Sequence, residues 1–215
     1  LGDGVAFGEG IHRSHSFALD AISSLGGDRV GVEPIVLAVP DYSIVQTRNL
    51  MGMRGWDLAP DLLIFSGPGI EMSVGPYVDS EVVSAFGGTV SARRTLGSWA
   101  LTRVLDHLIR VQHGSATDQR KAVFVDGKNT NSLGRPRVGT NEFASHLDAL
   151  ALDAHAAGVE LIFVMLPLPT DLHDQHKINR AQIYRTAMVD TAHRYGIPLV
   201  DGPKVFKESA RKPEI

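Results

Sequence analysis

The chain has 215 residues, 43% of them hydrophobic and 21% charged, which fits a single globular domain and argues against a disordered or fibrous protein. A formal net charge of −3, with no cluster of Lys or Arg, argues against a nucleic-acid partner, and no apolar run reaches the ~18–20 residues of a membrane span. There is no cysteine, so no disulfide framework and no thiolate chemistry, and compartment and oligomeric state stay open.

In chain order, residues 17–25 carry apolar side chains at helical spacing. Residues 34–39 (Pro-Ile-Val-Leu-Ala-Val) and 61–65 (Asp-Leu-Leu-Ile-Phe) are short, continuous apolar runs, the pattern of strands buried on both faces of a parallel sheet. Residues 80–111 read as two helices broken near Gly87-Gly88, and residues 112–138, punctuated by Gly, Asn and Pro, as an excursion able to act as a flap. A helix over 141–157 follows, with Phe143, Leu147, Leu150 and Ala154 on one face and Gly158 as its stop. A strand over 159–166, a helix over 178–195 ending at Gly196, and a last strand over 197–200 complete the pattern. Alternating strands and helices predict an α/β fold with a doubly wound parallel sheet, whose ligand site lies beyond the carboxyl ends of the strands. The chain opens on what reads as a strand-to-loop junction and stops at Glu214-Ile215 without a final helix. The expectation is one domain over residues 1–215, clipped at both ends.

The first turn, Leu1-Gly2-Asp3-Gly4-Val5-Ala6-Phe7-Gly8-Glu9-Gly10, resembles the first sequence block of the SGNH (GDSL) hydrolase superfamily, Gly-Asp-Ser followed by a small or apolar pair and spaced glycines. The likeness continues. Val39-Pro40-Asp41-Tyr42-Ser43 followed by Gln46 looks like the second block, and Pro60 to Phe65 leads into Gly67-Pro68-Gly69-Ile70-Glu71 where the third block, Gly-x-Asn-Asp, would stand. Arg137-Val138 with Glu142, Phe143 and Leu147, then Gly158-Val159 through Pro167, Tyr184, and Gly196 through Asp201 also look like the family. The resemblance implies a three-layer α/β/α sandwich, a flavodoxin-like doubly wound sheet, and hydrolysis of ester bonds such as O-acyl groups on carbohydrates or lipids, with no cofactor.

In that family a serine of the first block attacks the ester carbonyl and a late Asp-x-x-His supplies its base. The serine N–H, a second-block glycine N–H and a third-block asparagine form the oxyanion hole. A hydroxyl is a weak nucleophile until a base takes its proton, and the tetrahedral oxyanion needs donors fixed in advance. Carried over by position, the serine is Gly4, the glycine is Asp41 and the asparagine is Ile70, or Gly69 with a one-residue shift. No Asp-x-x-His block follows the last strand, where the family would carry it, and Asp201 matches the aspartate that closes that strand. Loss of a catalytic serine costs on the order of 10⁶ in turnover and one oxyanion donor roughly 3 kcal/mol, so the chain as written is expected to be inactive.

Each of these residues also has a plainer reading. Gly4 would serve as a turn glycine with positive φ, Asp3 as a helix cap, Asp41 as an ordinary loop aspartate and Glu71 as a structural hydrogen-bonding residue. His12 and His15 flank Arg13 and read as solvated loop residues. His173 and His176, with Asp171 and Asp174 beside them, form the one metal-like cluster, although polar loop composition explains them equally well and no metal is assigned. His107, His146, His155 and His193 fall on predicted helices as surface or boundary residues. Three functions follow: a hydrolase by descent, a binding or scaffold domain that keeps the cleft, and a metal-assisted hydrolase using His173 and His176.

Overall fold

The computed structural model describes residues 1–8, 10, 12, 16–24, 31–75, 77–81, 134–168 and 180–210. The chain divides into two units, Leu1–Ser73 with Arg137–Ile215, and Val74–Pro136. In the second unit, Val74 and Pro136 form an antiparallel bridge and Arg135 is paired with Glu81 at 2.8 Å. The two helices expected over 80–111 and the excursion over 112–138 fall almost wholly outside the described residues, as do His107, His173 and His176.

The first unit is built on a parallel sheet of β1 (Leu62–Gly67), β2 (Glu160–Met165) and β3 (Leu199–Asp201), in that order. Leu63 and Phe65 on β1 and Leu161, Phe163 and Met165 on β2 are buried. The in-register pair Phe65 and Phe163 meet edge to face at 6.1 Å, so apolar burial and strand pairing reinforce each other. Two further segments continue the ladder beyond β1. The Leu1 nitrogen donates to the Ile64 carbonyl at 2.7 Å and the Ser66 amide to the Leu1 carbonyl at 3.0 Å. Gly2 in turn forms a parallel bridge with Ala38. Across the sheet, the second chain segment therefore comes first, then the first, third, fourth and fifth, the flavodoxin-like order. Gly2 is required there: its φ is 150°, and a Cβ would run into the Ser66 hydroxyl and the Ala6 methyl.

The strand expected over 35–39 does not form. Only Ala38 is bridged, while Ile35 and Val36 are exposed.

Helices supply the covering layers. The sequence places α1 at Gly4–Phe7, α2 at Phe17–Ser24 and α3 at Ile44–Leu50, the last entered through a capping box of Ser43 and Gln46. Helix α4 (Thr140–Ala157) buries Phe143, Leu147, Leu150, Ala151 and Ala154 on one stripe and stops at Gly158 with φ 70°. Helix α5 (Arg180–Tyr195) packs against it through Tyr184 and Met188, with the Phe143 and Tyr184 rings 5.4 Å apart, and both helices pack on β2. The chain also has the final helix that its sequence was not expected to hold, α6 (Gly202–Ala210). Asp201 Oδ1 accepts from the Lys204 amide at 3.0 Å, so the aspartate that closes β3 also caps α6, and Pro203 fits the first turn.

The Tyr184 hydroxyl donates to the Val138 carbonyl at 2.6 Å inside the core, and burial pushes its pKa up to about 12. Tyr184→Phe leaves that buried carbonyl without its donor and is expected to cost about 1–2 kcal/mol in urea unfolding. An unchanged midpoint at constant m-value would contradict this packing.

Candidate functional site

Three segments meet beyond the carboxyl edge of the sheet. The chain runs from Gly2 into Asp3-Gly4, from the bridged Ala38 into Asp41, and from β1 through the Gly67-Pro68 bond into Gly69 and a short 3₁₀ turn, Ile70–Met72. Gly4, Asp41 and Ile70 therefore lie on the same edge. Asp3 caps α1 by accepting from the Val5 amide at 3.0 Å. Its carboxylate also lies against Gly69, where a Cβ would collide with it. Asparagine at position 69 is therefore sterically disfavoured, while position 70 has no such conflict.

Gly4 departs from the positive-φ reading. It is the first residue of α1 and is absent from the glycines with positive φ, because the Asp3 cap already turns the chain into the helix. The backbone accepts a side chain there. Asp41 shows the opposite situation: φ is 62°, the left-handed region that suits glycine and that aspartate tolerates better than most residues. Its side chain is exposed, and its carbonyl is held by the buried Arg137 through Nη2 at 2.9 Å.

Glu71 fastens these segments together. It is buried, and its two oxygens accept from different loops, Oε1 from the Ile44 amide at 3.0 Å and Oε2 from the Gly69 amide at 2.8 Å. Its own carbonyl accepts from the Val138 amide at 3.2 Å, which brings in the segment that carries Arg137. Burial pushes the Glu71 carboxyl above the ordinary range; the backbone donors pull it back in part, and the nearby Asp3 adds to the rise. Glu71 is thus the structural hydrogen-bonding residue that its position in the sequence suggested. Arg137 was legible only as part of a family-like segment, because the partner it holds lies 96 residues away.

The arrangement offers little for acyl transfer. Position 4 has no hydroxyl, Ser43 Oγ is engaged with Gln46 at 2.6 Å, and the buried Ser66 Oγ donates to the Leu1 carbonyl. The amides of Ile44 and Gly69 are both taken by Glu71. Of the described histidines, His12, His155 and His193 are exposed, and His146 lies between α3 and α4. Among the described residues no group of three or more His, Asp or Glu is placed to hold a metal ion, and no helix is long and apolar enough to cross a membrane.

Glu71→Gln keeps the shape but gives one of the two amides an NH₂ group in place of an acceptor. At pH 5 this is expected to destabilise the protein by about 1–3 kcal/mol. Because the folded carboxyl titrates above its unfolded value, stability from Glu71 is fully present below about pH 4.5 and is lost as pH rises through the folded pKa. The gap between wild type and variant should therefore narrow toward pH 8 in urea unfolding. A gap that widens with pH would contradict the assignment.

The fold matches that of LAE5, an alpha/beta hydrolase enzyme from the metagenome of Lake Arreo, Spain. The TM-score is 0.56 at 13% sequence identity, covering 98% of this chain and 79% of that one. A second solved structure, TesA, aligns at a TM-score of 0.46 and 11% identity, over 92% of this chain and 73% of its own. No protein-family model matches the sequence, and no curated protein matches it. At such identity the likeness to LAE5 speaks to the fold alone, and the chain has an α/β fold.

Proposed function

We propose that residues 1–215 form one SGNH (GDSL)-type, esterase-like hydrolase domain that is inactive as written. The reading rests on the sequence blocks around Gly4, Asp41 and Ile70, and the hydrolase fold supports it. The observation that carries the inactivity is Gly4, which occupies the nucleophile position at the start of a helix. Asp41 stands at the oxyanion glycine position and Ile70 at that of the asparagine. The ligand class is a small ester, or an O-acyl group on a carbohydrate or lipid. The competing reading is a binding or scaffold domain on the same fold, with the loops held together by the bonds of Glu71 to the Ile44 and Gly69 amides.

Hydrolysis of a short-chain aryl ester should proceed no faster than in a buffer blank. Gly4→Ser alone should leave kcat/KM at that level, because a lone serine without its base recovers almost nothing of a cooperative triad. Adding Asp41→Gly and Ile70→Asn and then a C-terminal segment carrying Asp-x-x-His should raise kcat/KM by roughly 10³-fold or more. Robust turnover from Gly4→Ser alone would mean that a base already faces position 4 and would overturn the proposal.

A further inference from the structure

We propose that Arg48 and His146 form a pH-sensitive latch that ties α3 to α4 while His146 is neutral and releases α3, with the turn that carries Asp41, when His146 is protonated. Arg48 Nη1 lies 3.0 Å from His146 Nδ1. A guanidinium can only donate, so Nδ1 must be the acceptor, which places the imidazole proton on Nε2 and requires a neutral ring. Protonation puts a hydrogen on Nδ1 and sets two cations face to face at the same distance. The pair is partly shielded from water, with side-chain exposures of 27% for Arg48 and 22% for His146.

The charged groups around the ring come from both helices. Arg48 approaches from α3, and its Nη2 is paired with Asp153 of α4 at 2.9 Å, while Glu142 of α4 stands 3.9 Å from Nε2, too far for a hydrogen bond. Burial, then Arg48, hold the imidazole below its ordinary value of 6.5, and Glu142 opposes them. Arg48 Nε is buried without a hydrogen-bond partner, so once Nη1 is displaced Arg48 is left on α4 by its Nη2 pair with Asp153.

Helix α3 has seven residues and continues directly into a π-helical turn, Met51–Gly55, and a 3₁₀ turn, Trp56–Leu58. Its first residue, Ile44, is the one whose amide binds Glu71, and its cap, Ser43, lies two residues after Asp41. Loosening at Arg48 therefore reaches the site edge through a single short helix. The sign follows from the lowered pKa: the latch is fully closed above about pH 6.5 and is lost as pH falls through the folded value. The inference stands independently of the hydrolase reading.

Amide hydrogen exchange of the full chain, corrected for intrinsic rates, tests it at pH 7.5 and pH 5.0. Protection across α3, with Ile44 as reporter, should fall more than tenfold at the lower pH while α4 and β2 keep theirs. His146→Gln, which retains an acceptor but does not titrate, should abolish that selective loss. A proton NMR titration gives a second readout: the His146 midpoint should lie below 6.5 and rise in Arg48→Met, which removes the facing cation. An equal loss of α3 protection in His146→Gln, or a midpoint that Arg48→Met leaves in place, would overturn the latch.

Discussion

A buried carboxylate holding two backbone amides from different loops is the contact on which the carboxyl edge of this sheet depends. Glu71 takes the amide of Ile44 with one oxygen and that of Gly69 with the other, and its backbone carbonyl takes the amide of Val138. Ile44 and Val138 are also fully buried, so apolar burial and hydrogen bonding to a single group act together here. Placing a carboxylate out of water is costly, and the upward shift of its pKa records that cost; the two amides offset part of it. Asp3 is fixed beside the same group, in its helix cap and against Gly69. Glu71 thus joins the segments that follow Asp41 and precede Ile70, while the Asp3 cap sets Gly4 and Arg137 holds the Asp41 carbonyl.

The backbone at this edge is distinct from the chemistry that acyl transfer needs. A helix start at Gly4, a left-handed turn at Asp41 and a 3₁₀ turn at Ile70 are backbone features, and they persist whatever side chains they bear. Acyl transfer asks for more, namely a hydroxyl, a base and free donors. The left-handed φ at Asp41 fits a glycine better than an aspartate, so the conformational demand that glycine would answer is still present at that position.

Much of the fold could be read in advance because local pattern and tertiary role agree. Helix α4 shows its apolar stripe and its glycine stop, and β2 is one uninterrupted apolar run. The misreadings have physical causes. An apolar run such as 35–39 states that it would be comfortable in a sheet, not that a neighbour will be there, and only Ala38 finds one. At Asp201-Gly202-Pro203 the end of a strand and the start of a helix share one residue; the sequence shows both signals, and the second was overlooked. The pairs Arg48 with His146 and Arg137 with Asp41 are separated by 98 and 96 residues, and no spacing rule links them.

The central proposal is that the carboxyl edge of this sheet carries no activated nucleophile. Intact-mass measurement after prolonged exposure to a fluorophosphonate probe tests it most directly, because the reagent reports a reactive hydroxyl whatever the natural ligand is. The account predicts the unmodified mass alone. One stoichiometric adduct that maps to any residue of the Gly4, Asp41 and Ile70 loops would contradict it.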